Sequence, residues 1–400
     1  MTYSNALKFF RSAPEKGSED AGHVRLLLSA IGNPERKFNI LPVTGLKGKS
    51  SVVRMLAGIT ASSGVKAAAV IYPTLHTPKD NIFILGRPLS IDAFLRYTAF
   101  LYAAVRSLRL EDPASAQFSR AELLFCLAVH AAAEEGCKWL ILEIPPLPFS
   151  PLSTIRFSSS ITVITSCDQT VGGAITSMIH PGLTETVSAR LPFQSSYTAV
   201  SSACAKAGCR LTVPVFSGVT VSESSLCRTV FSYRSTEYTM PLYGAFALQN
   251  ALCAIEAALA LRRLGCPITD SGIREGLLHT VLPARAEILS VSPTVLIDAA
   301  DDAFSISALA ALLSEKGTAI GSRITLCLSE DSSVPVSGLS LLEDVGFRLE
   351  STVRIPAGKE NRTAELLLKS AAAEDLILAV GDLPFVFSMQ AEFKKALHFQ

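Results

Sequence analysis

Residues 39–51 decide the fold. They have the sequence NILPVTGLKGKSS and are followed directly by VVRMLAGITASSG. The apolar start of this segment predicts a buried strand, and Val53, Leu56 and Ile59 recur at the spacing of one helix face. The glycine-containing stretch between them therefore joins a strand to a helix, which is the setting in which such a loop binds phosphate.

The loop fits the pattern G-x-x-G-K-[ST]-[ST] at Gly45, Gly48, Lys49, Ser50 and Ser51. Glycines allow backbone amides to close around phosphate oxygens, the lysine neutralises their charge, and a hydroxyl can bind Mg²⁺. The general phosphate-loop pattern would place a glycine at position 43, where this chain has Val43. An ordinary strand-to-helix turn with a solvated lysine is the alternative, and the flanking strand and helix favour phosphate binding.

The composition is typical of a globular protein with more than one domain. Four hundred residues, 49% of them hydrophobic, can bury more than one core. The formal net charge of +1 argues against nucleic acid or an anionic membrane as a partner. The sequence contains neither a secretory signal nor an apolar run of about 18 residues that could span a membrane. The nine cysteines show no metal-site spacing, so we expect a reduced, cytoplasmic location.

Apolar β-branched runs alternate with helical patterns, which predicts α/β domains with mainly parallel sheets. The first sheet is predicted to contain six strands, at residues 38–43, 67–71, 139–143, 161–165, 197–200 and 212–215. Residues 218–241 alternate apolar and polar side chains and predict a small antiparallel meander. Helices are expected to follow it at residues 246–265 and 269–278.

A proline and a loss of apolar periodicity near residues 280–284 predict a domain boundary. We expect a larger domain over residues 1–283 and a smaller α/β domain over residues 284–400. The smaller domain is predicted to contain strands at residues 294–300, 324–328 and 375–380, with helices at residues 305–315 and 363–373.

Beyond the phosphate loop, several segments resemble the Mur-ligase superfamily, and within it the folylpolyglutamate and dihydrofolate synthases. Residues 81–94 (NIFILGRPLSIDAF) are similar to the family's E-R-I-x-I-N-G-x-P-I-S segment. Residues 121–144 resemble the helix and strand that carry the family's metal-binding glutamate, which would be Glu143. Farther on, PARAEIL at residues 283–289 and TVLIDAADDAF at residues 294–304 resemble its P-G-R-F-E and D-G-A-H-N-P segments.

The resemblance implies a P-loop central domain of the Mur-ligase type, followed by a smaller Rossmann-like α/β domain. It also implies an ATP-dependent ligase that joins a carboxylate to an amine through an acyl phosphate. ATP and Mg²⁺ are the implied cofactors, and a folate-like or other carboxylate and glutamate are the implied substrates. Lys49 and Glu143 would be catalytic, and Ser50 and Glu143 would hold the metal. The residues implied to contact ATP are Gly45, Gly48, Lys49, Ser50, Ser51, Asn250, Arg285 and Asp298.

Some positions differ from the family's pattern at its metal sites. The serine that follows the family's second strand is Tyr72 here, and the histidine that follows its fourth strand is Gln169. Of the three family metal ligands compared in this way, only Glu143 is kept. The family also carries a carbamylated lysine, and no lysine occurs between Lys138 and Lys206.

Other differences surround the expected nucleotide. A glycine-rich stretch in the family is IPPLPFSPLS at residues 144–153, and prolines fix φ and remove amide donors. The family's histidine and glutamine at the start of its later helix are Phe246 and Ala247. Its histidine and asparagine after the C-terminal strand are Asp301 and Asp302, which add negative charge.

Two functions remain open at this point. One is an active ligase, and the other is a catalytically weakened or inactive homologue that binds nucleotide or acts as a scaffold for a protein partner. Simpler roles are also open for some residues: Arg285 and Asp298 could pair with each other, and Asp301 with Asp302 could cap the following helix.

Overall fold

The computed structural model describes most of the chain. The described residues are 1–14, 22–72, 77–113, 117–144, 159–167, 172–191, 193–225, 228–241, 244–316, 321, 323–334, 337, 340, 343 and 346–398. Gln169 and the proline-rich residues 145–153, which the sequence analysis singled out, lie outside these ranges.

The chain divides into two compact units. The first consists of Met1–Glu223, Thr229–Pro241 and Phe246–Thr280, and the second of Ser224–Arg228, Leu242–Ala245 and Val281–Gln400. The assignment of residues 1–283 and 284–400 as two functional domains stays a prediction. None of the helices in the described ranges is long and apolar enough to cross a membrane.

The first unit is built on an eight-stranded sheet with the order β4-β3-β2-β5-β1-β6-β7-β8. Its strands are β1 (Asn39–Thr44), β2 (Ala67–Val70), β3 (Ile82–Ile84), β4 (Arg87–Pro88), β5 (Trp139–Ile144), β6 (Ile161–Ile164), β7 (Glu185–Ser188) and β8 (Arg210–Thr212). Strands β2, β5, β1, β6, β7 and β8 run parallel, and β3 and β4 add an antiparallel edge. Strands β2, β5 and β6 are buried along their whole length, as their continuous apolar runs predict.

Nine helices pack around these strands within the described residues. They are α1 (Tyr3–Arg11), α2 (Gly22–Ala30), α3 (Lys49–Ser62), α4 (Ile91–Glu111), α5 (Arg120–Glu134), α6 (Gly172–Thr176), α7 (Gln194–Ala207), α8 (Ala245–Arg263) and α9 (Asp270–Leu278). Helix α5 is deeply buried, with Phe125, Leu127 and Val129 fully enclosed in an apolar core that it shares with β1, β2 and β5. This core anchors one face of the sheet.

One predicted strand of this sheet is wrong. Residues 197–200 belong to helix α7, where Val200 and Cys204 are buried at helical spacing and Gly208 ends the helix in the left-handed region. The strand in this part of the chain is β7, whose polar residues were not recognised as a strand. Its Glu185 is buried because Arg263 binds both carboxylate oxygens, at 2.8 and 2.9 Å. The strand predicted at 212–215 lies earlier, in β8.

The predicted antiparallel meander is confirmed. It consists of β9 (Thr220–Ser224), β10 (Thr229–Tyr233) and β11 (Thr236–Met240), in the order β11-β10-β9. A buried carboxylate attaches it to α8, because Glu256 accepts hydrogen bonds from the Tyr233 hydroxyl and from Arg234 Nε. The helices predicted after the meander correspond to α8 and α9, and the Thr269 hydroxyl caps α9 by accepting from Gly272 N at 2.9 Å.

The second unit contains a five-stranded sheet with the order β12-β13-β16-β14-β15. Its elements are β12 (Glu287–Val291), β13 (Thr294–Asp298), α10 (Ala303–Lys316), β14 (Arg323–Ser329), β15 (Arg348–Ile355), α11 (Glu360–Ser370), β16 (Asp375–Val380) and α12 (Leu383–His398). The three predicted strands and two predicted helices are present. Strands β12 and β15 were missed because neither is a buried apolar run, and β15 is exposed at nearly every position.

Two glycines bring helix α9 against α3, the helix that starts at the phosphate loop. A Cβ on Gly276 would lie 2.4 Å from both N and Cα of Ile59. A Cβ on Gly58 would lie 2.7 Å from the carbonyl oxygen of Gly276. Backbone thus packs against backbone, and neither position has space for a side chain.

We expect Gly276→Ala to lower the free energy of unfolding by about 1–3 kcal/mol, because the new methyl group forces α9 away from α3. This loss outweighs the gain of up to about 1 kcal/mol that alanine brings to a helix interior. Chemical denaturation measures the difference. Gly173→Ala is the control, because no atom lies within 4 Å of its Cβ position. Equal effects of the two substitutions would contradict the close contact.

Candidate active site

The phosphate loop closes around the ammonium group of its own lysine. Gly48 lies in the left-handed region with φ 86° and precedes the first residue of α3, Lys49. Lys49 Nζ donates to the carbonyl oxygens of Gly45 at 2.8 Å and Leu46 at 3.0 Å. The positive charge therefore sits at the N-terminus of α3, where the helix dipole also favours an anion.

Two hydroxyl residues at the end of strand β6 hold the loop in place. Thr165 Oγ1 donates to the carbonyl oxygen of Lys47 at 2.6 Å, and Ser166 Oγ accepts from Lys47 N at 2.8 Å. A Cβ on Gly45 would lie 2.4 Å from Thr165 Oγ1 and 2.7 Å from Ser166 N, so glycine is required there. Thr165 and Ser166 were not predicted as site residues from the sequence. The position of the two residues directly after β6 could have indicated them. Strand β6 neighbours β1, and parallel strands end at the same edge of a sheet, so residues after β6 lie near the loop after β1.

Asn250, a predicted site residue on α8, lies against the loop. A Cβ on Gly48 would lie 2.4 Å from Asn250 Oδ1. The structure thus brings together Gly48 and Asn250, which are far apart in sequence. A side chain at position 48 would be disfavoured both by this contact and by the left-handed backbone.

The predicted metal ligands Ser50 and Glu143 are in direct contact. Ser50 Oγ donates to Glu143 Oε2 at 2.8 Å, and the same oxygen accepts from the backbone N–H of Tyr72 at 3.0 Å. Glu143 is only 2% exposed, so these donors compensate a carboxylate that would be costly to bury alone. Ser51 follows in the first turn of α3 and is partly exposed.

The phenol of Tyr72 packs against helix α5. Its hydroxyl donates to the carbonyl oxygen of Ala121 at 3.4 Å, and the residue is buried. Burial raises the pKa of Tyr72 well above its ordinary value, and the nearby Cys126 and Glu143 add to this rise. The contribution of this residue to the site is therefore its backbone amide, while its side chain fills space between β2 and α5.

The oxygen atoms at this site are of the kind that Mg²⁺ prefers. Mg²⁺ is commonly held by one or two protein oxygens, with water and phosphate oxygens completing its octahedral shell. A serine hydroxyl beside a carboxylate fits that requirement. Among the described residues, no group of three or more His, Cys, Asp and Glu side chains could hold a metal ion by itself.

The second unit contains the other predicted site residues, Arg285 and Asp298. Asp298 Oδ2 accepts from the backbone N–H of Ala286 at 2.6 Å, and Arg285 Nη1 donates to the carbonyl oxygen of Ala299 at 3.4 Å. Burial raises the pKa of Asp298 to about 6, although the charge of Arg285 acts in the opposite direction. The predicted cap of the following helix is confirmed for Asp302, whose Oδ1 accepts from Ser305 N at 2.7 Å.

The raised pKa of Asp298 predicts a pH-dependent contribution to stability. Its pKa is about 6 in the folded chain and 3.8 in its ordinary state, so the folded protein binds the proton more tightly. This contribution is complete below about pH 4 and is lost as the pH rises through 6. Asp298→Asn should therefore gain stability relative to the unsubstituted protein between pH 4 and 7, by at most about 3 kcal/mol.

Chemical denaturation across this pH range measures the difference between the two proteins. The control is Asp331→Asn, at an exposed carboxylate in the turn after β14. It should leave the dependence of the free energy of unfolding on pH unchanged. If the difference in the free energy of unfolding between Asp298→Asn and the unsubstituted protein stays constant over this pH range, Asp298 is not the titrating group.

Comparisons with known proteins give a consistent result over nearly the whole chain. No family model matches the sequence. A folylpolyglutamate synthase of Lacticaseibacillus casei is 23% identical over 419 residues, which cover 96% of this chain and 94% of the relative. A dihydrofolate synthase/folylpolyglutamate synthase of Bacillus subtilis is 20% identical over 80% of this chain and 77% of its own length.

Solved structures share the fold. The folylpolyglutamate synthetase of Lactobacillus casei matches with a TM-score of 0.79 at 20% identity, over 98% of this chain and 99% of that one. A complex of such a synthase with AMPPCP and folate matches with a TM-score of 0.81 at 20% identity, over 98% and 99% of the two chains. The expected α/β architecture, with a second α/β unit after the first, is thereby confirmed.

Proposed function

We propose that this chain, a member of the Mur-ligase superfamily similar in sequence and fold to the folylpolyglutamate synthases, is an ATP-dependent ligase that joins a carboxylate to an amine. The observation that carries the proposal is the joint arrangement at the start of α3. There the Lys49 ammonium lies inside the phosphate loop, and the next residue, Ser50, contacts the buried carboxylate of Glu143.

In the proposed reaction, the γ-phosphoryl group of ATP moves to the carboxylate of the substrate and ADP leaves. The amine then attacks the acyl carbon, phosphate leaves, and an amide bond remains. Such transfers depend mainly on positioning and on neutralising charge. Lys49 and the amides at the N-terminus of α3 are assigned to the phosphates, with Thr165 and Ser166 fixing the loop.

Ser50 and Glu143 are the residues that would hold Mg²⁺, which supplies positive charge for the phosphate oxygens when bound. The Tyr72 amide keeps the Glu143 carboxylate oriented through its hydrogen bond at 3.0 Å. Asn250, Ser51, Arg285 and Asp298 are assigned to the nucleotide by the resemblance.

We further propose a folate-like carboxylate and glutamate as the substrates. The names of the relatives support this class, as does the solved synthase complex with AMPPCP and folate. We also propose a cytoplasmic location, which the free, buried cysteines support, among them Cys126, Cys253 and Cys327.

The reaction can be tested directly. We expect the protein to release ADP and phosphate when offered ATP, Mg²⁺, glutamate and a pteroate or folate, and the release should depend on glutamate. A coupled ADP assay measures turnover, with Lys49→Ala as the inactive reference. If a panel of carboxylates and amines gives no turnover above that reference, the inactive scaffold homologue replaces the ligase, and a protein partner should be sought by co-purification.

The nucleotide site can be tested without knowledge of the substrate. Lys49→Ala removes a charge-assisted contact to phosphate, so the affinity for ATP should fall by roughly 10 to 150-fold, or about 1.5–3 kcal/mol. Glu143→Ala should weaken ATP binding far less, and binding should depend only weakly on Mg²⁺, since few metal ligands are present. Isothermal calorimetry with and without Mg²⁺ measures both effects.

Lys66→Ala is the matched control, because this exposed lysine lies beyond the far end of α3. Its affinity for ATP should equal that of the unsubstituted protein. Should Glu143→Ala abolish ATP binding while Lys49→Ala leaves it unchanged, the loop does not hold phosphate and the proposed site is wrong.

A further inference from the structure

Three helices end in the same way, with a glycine followed by a cysteine. The glycines Gly136, Gly208 and Gly265, after α5, α7 and α8, have φ of 66°, 71° and 85°, in the left-handed region. The backbone N–H of each following cysteine donates to the carbonyl oxygen five residues earlier, at 2.8, 3.1 and 3.0 Å. This is the Schellman motif, in which the side chain after the glycine commonly packs against the one five residues earlier.

In two of these motifs the earlier residue is apolar. The pairs are Ala132 with Cys137 in α5 and Leu261 with Cys266 in α8. Both cysteines are buried, and each acts as a small apolar residue. In α7 the earlier residue is itself a cysteine, so the same motif brings together the thiols of Cys204 and Cys209.

The two thiols at the end of α7 are in direct contact. A hydrogen bond joins them, and the Thr186 hydroxyl of strand β7 is in hydrogen-bond contact with both sulfurs, 3.4 Å from Cys209 Sγ. A disulfide requires Cα atoms within about 7 Å and side chains that point toward each other. The backbone hydrogen bond of 3.1 Å between the two cysteines keeps their Cα atoms within this range. A covalent bond between the sulfurs therefore needs only a small movement of the side chains.

The two thiols differ in exposure. Cys204 is 2% exposed and lies in the apolar cluster that contains Ile164 and Val200, and burial raises the pKa of its thiol to about 11. Cys209 is half-buried and packs against the edge of this cluster. An oxidant therefore reaches Cys209 first and finds Cys204 directly behind it. Redox-sensing cysteines often have this arrangement, in which an accessible thiol lies next to a second thiol that completes the disulfide.

We propose that Cys209 and Cys204 form a redox modification site, which hydrogen peroxide converts from two thiols to one disulfide. The Cys209 sulfur attacks one peroxide oxygen, the O–O bond breaks, and water leaves with the Cys209 proton, so that Cys209 becomes a sulfenic acid. The Cys204 sulfur then attacks the Cys209 sulfur, the S–O bond breaks, and a second water leaves with the Cys204 proton. The two sulfurs together lose two electrons, which reduce the peroxide. None of these steps involves the proposed nucleotide site.

Digestion with trypsin reads the bond directly, because Lys206 lies between the two cysteines. The full chain is treated with hydrogen peroxide, its remaining thiols are blocked with N-ethylmaleimide, and the unfolded protein is digested without reduction. We expect residues 191–206 and 207–210 to appear as one linked peptide, lighter by two hydrogen atoms than the sum of its parts. Dithiothreitol added before the blocking step should restore two separate, blocked peptides.

Two substitutions separate the roles of the thiols. Cys209→Ser should abolish the linked peptide and leave Cys204 as a blocked thiol. Cys204→Ala should stop the reaction at the sulfenic acid of Cys209, which dimedone labels. Because Cys209 is half-buried, Cys209→Ser keeps the test open if Cys204→Ala does not fold. The matched controls are Cys137 and Cys266, which occupy the same position in the same motif beside an apolar partner, and both should remain free thiols in the treated protein.

The inference is overturned if peroxide gives no linked peptide in the unsubstituted protein, or if either cysteine is linked to a different one. Labelling of Cys209 by dimedone to the same extent with and without Cys204 would also overturn it, because Cys204 would then not act as the second thiol.

Discussion

The site depends on one buried carboxylate. Glu143 is the penultimate residue of strand β5, and one of its oxygens accepts from both the Ser50 hydroxyl and the Tyr72 amide. Three elements are thereby joined at one edge of the sheet: strand β5, the end of β2, and the first turn of α3. A carboxylate enclosed to this degree is stable only while its donors stay in place. The Ser50 hydroxyl in the first turn of α3 and the Tyr72 amide are therefore held at the carboxyl end of β5.

A second constraint acts on helix α3, through its packing against α9. The close approach of Gly58 and Gly276 places α9 directly against α3, while Thr165 and Ser166 bind the loop through its backbone. Contacts with strand ends and with a neighbouring helix thus hold the loop in place. Its conformation therefore does not depend only on the side chains of the loop itself. This explains how a loop with Val43 in place of the expected glycine still adopts the strand, loop and helix arrangement.

The sequence predicted the parts of the site whose chemistry demands particular residue types at fixed spacing. The loop from Gly45 to Ser51 is such a part, and Glu143 was found through the resemblance of the surrounding segment. Thr165 and Ser166 were not predicted, because their hydrogen bonds to Lys47 join residues 118 and 119 positions apart. Strand β7 was missed because its burial depends on an ion pair with a distant arginine, which no local pattern indicates.

Tyr72 shows that one residue can belong to two separate parts of the protein. Its backbone N–H donates a hydrogen bond to the Glu143 carboxylate, and every amino acid except proline carries a backbone N–H. Its phenol is selected by the space between β2 and α5. The side chain at this position can therefore change with the packing of α5 while the backbone hydrogen bond to Glu143 stays the same. A substitution that removes a familiar side chain from an active site thus need not remove the interaction that the backbone provides.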